Sequence, residues 1–469
     1  MSVRAKSVAA AAFLAIWFLG QTWRGLFVDF TEDDLMNMYL AWRVPAWKLA
    51  VANLTPFTSV YRPLGSAFYH AMYAVAGLHP LPFRIFDYAI MLLNIWLVYR
   101  VALLLTGSQW TGLLCALVFS YHKRLFGLLV NGGTVYDLLS LTFFLLAFGY
   151  YVSVRLRSGN VTGRRLLAFC ALYTLALNSK EMAASLPAIL LVYELVYHPP
   201  SLNLRWLYDR RAVWIAAAMT ALAFGFRMMR ASSFFGVRDY DLHFTVAQYF
   251  STTLPLLSQL FFLPENGLGI PAALAIFAAA LAIAALLRDR TLIFAAAVAI
   301  LAPLPINFIV YRGFFVMYFP LFGWALFFAV LLMRGVNWLG QRIPARLPLA
   351  AAVFAVTAIA LFIVEVTDDT WRFDYPRPGQ ERTHRIRKDM ATLHDSLPKP
   401  HRVLFLRQAF EPDSFAPFFV VHLLYRDDTI VVDVAPSSRA PRPLQPETYD
   451  LIVDLCQGRY VKADSASCR

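Results

Sequence analysis

Long apolar runs separated by short polar connections dominate this chain. Crossing a bilayer takes about 20 apolar residues in a helix. The first run, SVAAAAFLAIWFLGQTWRGLF, follows Arg4 and Lys6. It is long for the apolar part of a cleavable signal, and no small-residue cleavage site precedes the acids after it. It therefore reads as a retained helix with its N-terminus in the cytoplasm. The pattern predicts eleven membrane helices, near 8–28, 85–106, 109–121, 137–154, 165–178, 182–198, 212–230, 269–287, 291–310, 314–333 and 347–366. The third and fifth are short for a full span.

Loop charges orient these helices. RLRSGNVTGRR, RWLYDRR, RDR and RGVNWLGQRIPAR all fall on one side with the N-terminus if there are eleven spans. That satisfies the positive-inside rule. The opposite side also carries cations, among them Arg43, Lys48, Arg62, Lys123, Arg124, Lys180 and Arg312. That is rich for plain external loops and suggests a bound anion. Residues 29–84 form a long first external loop, with two amphipathic stretches expected to lie at the interface. A second external loop covers about 231–268.

The character changes near residue 367. TDDTWRFDYPRPGQERTHRIRKDM is polar and proline-bearing, as in a linker. A helix near 380–396, a strand RVLFLR, a helix near 414–424, and the strands TIVVDV and YDLIVDL follow. The expected fold class is an all-α polytopic membrane protein, residues 1–366, with a small α/β appendage, residues 367–469, outside the cytoplasm.

Composition agrees with this picture. Hydrophobic residues make up 59% of the 469 and charged residues 15%, against about a quarter charged in soluble domains. The net charge of +13 has no basic soluble module to carry it, which argues against a nucleic-acid partner. Cys115 and Cys170 fall in predicted membrane helices. Cys456 and Cys468 lie in the tail and pair if it sits in an oxidising compartment.

Candidate chemistry gathers at helix ends. In TEDDLMNMY, Glu32, Asp33 and Asp34 follow the first apolar run. Acids here cap a helix, with Thr31 or Asp33 as the cap. A carboxylate at a membrane boundary also accepts a proton from a hydroxyl, and neighbouring acids raise its pKa. Lys180 and Glu181 lie between two apolar runs, where charges are paired or functional. Arg312 is a lone cation before FFVMYFP, suited to a phosphate or to lipid headgroups. Arg62 sits beside a proline turn, His122 begins a short second loop, and Asp137 heads the next helix as a cap or a ligand.

Taken together, EDDLMNMY, YRPLG, the stretch from His122 through NGGTVYD, NSKEMAASL and YRGFFVMYFPLFG resemble the GT-C superfamily of polytopic glycosyltransferases. The likeness is to its protein O-mannosyltransferase and TMTC-like branch, over roughly residues 8–335. The second loop departs from the family form: it lacks the proline after His122 and has NGGTVYD in place of Gly-Arg-x-Asp. The tail is not the helical-repeat tail common among TMTC-type proteins.

The resemblance implies a polyprenyl-phosphate sugar donor and transfer with inversion to an acceptor hydroxyl on the extracytoplasmic face. It implies Asp33 as general base with Asp34 beside it. Arg312 and Lys180 would hold the phosphate, and Glu181 would orient Lys180 or the acceptor. Arg62, His122 and Asp137 join the expected donor and acceptor site. The acceptor is protein, lipid or cell-envelope glycan. A divalent cation is left open, since some members of the superfamily use one. The expected location is a bacterial inner or plasma membrane. The rival from another class is a transporter or lipid flippase, which should carry its ionisable residues near the midplane of broken helices.

Overall fold

A computed structural model describes residues 3–55, 58–200, 205–230, 242–341, 346–367, 377–411, 413–435 and 445–463. The first helix, α1 (Val3–Thr22), runs into a 3₁₀ turn (Trp23–Phe27), and α2 (Glu32–Trp42) follows. The chain bends by 77° between them, so α2 does not continue the apolar helix. Helices α3 (Ala46–Ala52) and α4 (Pro63–Ala76) complete the first loop.

The apolar body follows: α5 (Pro80–Thr106), α6 (Gln109–Tyr121), α7 (Gly127–Val130), α8 (Val135–Ser158), α9 (Arg164–Ser179), α10 (Leu186–Tyr197), α11 (Arg205–Asp209) and α12 (Arg211–Arg230). Then come α13 (Val246–Leu260), α14 (Ile270–Leu286), α15 (Arg290–Leu301), α16 (Leu304–Asn307), α17 (Tyr318–Gly340) and α18 (Arg346–Thr367).

A helix covers each of the eleven apolar runs. Among the described residues five helices are long and apolar enough to cross a membrane, or up to seven if each of two bent helix pairs is one span, against the eleven spans expected. Arg211–Gly225 and Ile270–Leu286 are shorter apolar helices. The protein is a multi-pass membrane protein. One large apolar cluster joins the bundle. Helices α15 and α17 meet at Gly323, where a Cβ would lie 2.4 Å from the Ala299 backbone nitrogen. Small residues permit such close approach. At the far end of the bundle from α2, Glu194 is buried but not unpaired. Arg155 grips it bidentately at 2.7 Å, and Arg210 adds a contact at 3.0 Å.

The remainder forms a small α/β unit: α19 (Pro378–Ser396), β1 (Arg402–Phe405), α20 (Ala416–Tyr425), β2 (Val431–Val434), β3 (Leu451–Cys456) and β4 (Arg459–Lys462). The sheet order is β2-β1-β3-β4. β1 is parallel to β2 and β3, and β4 closes an antiparallel hairpin on β3. β4 and α13 are absent from the sequence expectation. Cys456 is disulfide-bonded, and Cys468 lies outside the described residues. Cys115 and Cys170 are free.

This unit shares an apolar core with α2 and α4. The Tyr39 ring lies 5.3 Å from that of Phe418 and 5.4 Å from that of Phe419. Tyr73 donates to the Leu423 carbonyl. Asp29 accepts from Arg387 at 2.6 Å, and Arg43 lies 3.0 Å from Asp428. The tail therefore clamps the helix that carries the acidic cluster.

Candidate active site

The start of α2 is built as a capping box. Thr31 is extended (φ −93°, ψ 170°), and its hydroxyl accepts from the Asp34 N–H at 3.3 Å. The Asp34 carboxylate accepts in return from the Thr31 N–H at 3.0 Å. That carboxylate also receives Arg84 at 2.9 Å and the Tyr69 hydroxyl at 3.1 Å. Asp34 is 3% exposed and Arg84 1%. Arg84 further donates to the carbonyls of Val28 and Asp29, so its charge is fully engaged.

The NGG stretch closes on this cap. The Gly132 N–H donates to Thr31 Oγ1 at 2.8 Å, and the Gly133 N–H to the Tyr69 hydroxyl at 3.1 Å. A Cβ on Gly132 would stand 2.2 Å from the Asp34 nitrogen and 2.3 Å from Thr31 Oγ1. Only glycine fits there. Asn37 donates to the Asp33 carbonyl at 2.7 Å and accepts from the Tyr136 hydroxyl at 2.9 Å. The Asp33 backbone is thus held from several sides. Its carboxylate is left over: among the described residues it accepts no hydrogen bond and forms no ion pair. Glu32 accepts from the Ser414 hydroxyl at 2.7 Å, which commits it to holding the tail.

Asp33 opens on a cavity of about 990 Å³, walled also by Arg62, Asp137, Lys180 and Arg312. Four polar islands remote in sequence converge with it there. Lys180 Nζ lies 2.5 Å from Asp137. Arg62 reaches Glu181 bidentately at 2.7 and 3.3 Å, under the rings of Tyr61 and Tyr136 at 4.6 and 5.4 Å. Glu181 therefore pairs with Arg62, while Lys180, which it was expected to orient unless it oriented the acceptor, pairs with Asp137. Asp34 faces Arg84 and away from the cavity. His122 does not wall the cavity: it is 3% exposed, stacked 4.4 Å from Phe262, with Nε2 donating to the Gln259 carbonyl. It packs 4.4 Å from Phe314 as well, beneath the loop that carries Arg312.

Arg312 stands at a junction. It walls the Asp33 cavity, a polar pocket of about 580 Å³ with Gln259, Glu265 and Tyr311, and an apolar groove. The groove is lined by Phe224, Leu242, Ile306, Ile309 and Val316, and its polar end carries Arg62, Lys180 and Arg312. The groove is a small recess of about 60 Å³ that meets the Asp33 cavity at these cations.

The Asp33 pKa is raised above its ordinary value near 3.8. The enclosing protein strips water from the carboxylate, and the charges of Asp34 and Glu32 add to the rise. Arg312 pulls it the other way, which marks the cation as close enough to feel this carboxylate. A resident divalent cation fits poorly. No three metal-ligating side chains converge among the described residues. At α2 only Asp33 is uncommitted, one ligand where such ions take several oxygens.

Sequence reasoning missed Arg84, Tyr69, Gly132 and Tyr136. Arg84 heads a long apolar helix and carried no motif. The glycine pair in NGGTVYD was the one available signal.

Comparison with solved structures gives a fold likeness. The apo oligosaccharyltransferase of Archaeoglobus fulgidus aligns with 92% of this chain at a TM-score of 0.52 and 9% identity. This chain spans 64% of that protein's length. ArnT from Cupriavidus metallidurans bound to undecaprenyl phosphate aligns with 92% of this chain and 89% of its own, at a TM-score of 0.45 and 15% identity. The archaeal oligosaccharyltransferase AglB, in complex with an inhibitory peptide and a dolichol-phosphate, gives 0.47 and 13%, over 92% of this chain and 65% of its own. No family model matches the sequence, and no curated protein matches it. The chain thus shares a fold with an oligosaccharyltransferase.

Proposed function

We propose that this protein is an integral membrane glycosyltransferase that takes a sugar from a polyprenyl-phosphate donor. The observation that carries the reading is the shared cavity. An uncommitted carboxylate, Asp33, faces the same space as Arg312, and that space adjoins an apolar groove headed by cations. The phosphate sits at the polar end of the groove, which marks the side from which the hydrocarbon tail leaves toward the bilayer. The sugar then projects into the Asp33 cavity, whose volume lies at the upper end of the roughly 300–1,000 Å³ of ligand pockets.

The acceptor hydroxyl oxygen attacks the anomeric carbon as the bond from that carbon to the phosphate oxygen breaks. The hydroxyl proton passes to Asp33, and polyprenyl phosphate departs with the electron pair. Attack opposite the leaving group inverts the configuration. Asp33 is the general base. Arg312 meets the charge that grows on the phosphate. Lys180 pairs with Asp137 and Arg62 with Glu181, so both shape the cavity and offer hydrogen bonds at its edge. Asp34 fixes the helix start that aims Asp33.

The polar side chains of the cavity gather at one end of the bundle, around loops and helix ends. A transporter would set them along the midplane of broken helices, so transferase chemistry at the membrane surface is the better reading. With the eleven spans and loop charges expected from the sequence, this face lies outside the cytoplasm and the N-terminus inside. Purified protein in lipid nanodiscs, given either a radiolabelled polyprenyl-phosphate hexose or a radiolabelled nucleotide sugar, each with an extract of envelope lipids and glycans, tests the donor class. The proposal expects label to leave the polyprenyl carrier. Label that leaves only a nucleotide sugar refutes it.

A further inference from the structure

A second cavity, of about 1040 Å³, is walled by the same two segments as the Asp33 cavity. Thr31, Glu32, Asp33 and Gly379 face the one. Phe27, Asp29 and the residues of α19 from Gln380 onward face the other, together with β4. Four of its walls are Arg385, Lys388, Arg459 and Lys462. Its carboxylates are Asp29, Glu381 and Asp389. Asp29 is already taken by Arg387 and His384, and Asp389 accepts from the Tyr460 N–H.

Cations elsewhere in the α/β unit are engaged. Arg387, Lys399 and Arg407 are paired with carboxylates. Arg382, Arg402 and Arg426 lie over the rings of Phe410, Tyr449 and Tyr73. Arg377 and Lys462 also have partners. Of the arginines and lysines described between 377 and 463, three have no ion pair, hydrogen bond or ring contact: Arg385, Lys388 and Arg459. All three line this cavity. Arg385 and Lys388 are three apart on α19 and share a face. Arg459 reaches the same space from β4. Like charges gathered in a cleft raise the local concentration of an anion.

The place of the cavity adds a second constraint. Phe27 lines it and is 72% exposed, and Trp23, one turn earlier, is 51% exposed. Both stand at the end of the first apolar helix, where aromatic rings mark the boundary between lipid and water. The cavity therefore begins at headgroup level, on the face that carries Asp33.

We propose that this cavity is a phosphate-binding site at the membrane surface, filled by the headgroup of an anionic lipid. Arginine holds phosphate through paired N–H groups, and lysine adds a point charge. The site is separate from the donor site and does not depend on the transferase reading.

The test uses the full chain and a binding readout, with no transfer step. Wild type, Arg459→Gln and the triple variant Arg385→Gln/Lys388→Gln/Arg459→Gln are placed in phosphatidylcholine nanodiscs with increasing phosphatidic acid. Thermal stabilisation is measured against phosphatidylcholine alone, and Arg165→Gln serves as a control. The expected result is a half-saturating phosphatidic acid fraction at least tenfold higher for the triple variant, with the single variant between. Without phosphatidic acid the variants should melt with wild type, since the removed groups have no partners to lose. A parallel arm adds inorganic phosphate in detergent. Stabilisation of wild type there, lost in the triple variant, supports the phosphate site and assigns its ligand to solution instead of lipid. Equal response of wild type and both variants in both arms overturns the proposal.

Discussion

Asp33 and Asp34 are adjacent in sequence and opposite in environment. Arg84 stands 2.9 Å from the Asp34 carboxylate in a buried pair, while the Asp33 carboxylate faces an open cavity with no partner among the described residues. One residue holds the helix and the other is left uncommitted.

This contrast predicts opposite effects on stability. Asp34→Asn removes the nearer of the two carboxylates that pair with buried Arg84 and leaves it Asp87 at 3.5 Å; breaking a buried pair costs up to about 3–5 kcal/mol. A large fall in melting temperature is expected. Asp33→Asn removes a charge that the folded state disfavours, so its melting temperature should match or exceed wild type at neutral pH. Thermal unfolding of both variants in one detergent checks the pair.

The raised Asp33 pKa also sets two pH profiles. A base must be ionised, so the transfer rate should fall tenfold per pH unit below a pKa that lies above the ordinary 3.8. The stability sign follows from the same shift. A folded pKa above the unfolded one stabilises fully below the unfolded value, and that contribution is lost as pH rises through the folded value. The melting-temperature advantage of Asp33→Asn should therefore grow across that window. Arg312 lowers this pKa, so Arg312→Gln should move the acidic limb of kcat/KM to higher pH, beyond any loss of donor binding. A limb that stays put would separate Arg312 from Asp33.

Gly132 tests the positioning of α2. Alanine there forces Thr31 and Asp34 to move, because its Cβ would overlap both. A displacement near 1 Å at reacting groups costs about 10²-fold. Gly132→Ala should insert and fold with kcat reduced on that order, whereas Gly127→Ala, with nothing nearer than 3.6 Å, should be near wild type.

The orientation has its own test. A periplasmic-type reporter fused after residue 367 should be active, and a cytoplasmic one silent. The reverse pattern would place the Asp33 cavity on the cytoplasmic face.

The helices were legible because burial in lipid leaves long apolar runs, and the ends of those runs exposed the charged islands. Which charge meets which was not legible. Arg62 and Glu181 are 119 residues apart, and Lys180 lies beside Glu181 in sequence yet bonds to Asp137. Pairing is a property of packing, and several cations near several acids fit the same sequence. Arg84 was hidden for another reason: an arginine at a helix end ordinarily reads as an interfacial anchor. His122 stood out by type, but its ring is spent on Gln259 and Phe262. β4 is four residues long, too short to show alternation. The acidic cluster carried the most information, although only Asp33 within it is uncommitted: Asp34 is held by Arg84 and Glu32 by Ser414.

The central claim is that Asp33 takes the proton from the acceptor hydroxyl. The direct measurement is single-turnover transfer of label from a polyprenyl-phosphate sugar by wild type and Asp33→Asn, with donor binding measured on the same samples. The account predicts that Asn keeps donor affinity within about twofold and loses transfer by at least 10²-fold, the lower end of the usual general-base contribution of roughly 10²–10⁴. Transfer by Asp33→Asn at the wild-type rate, with donor bound, would contradict it.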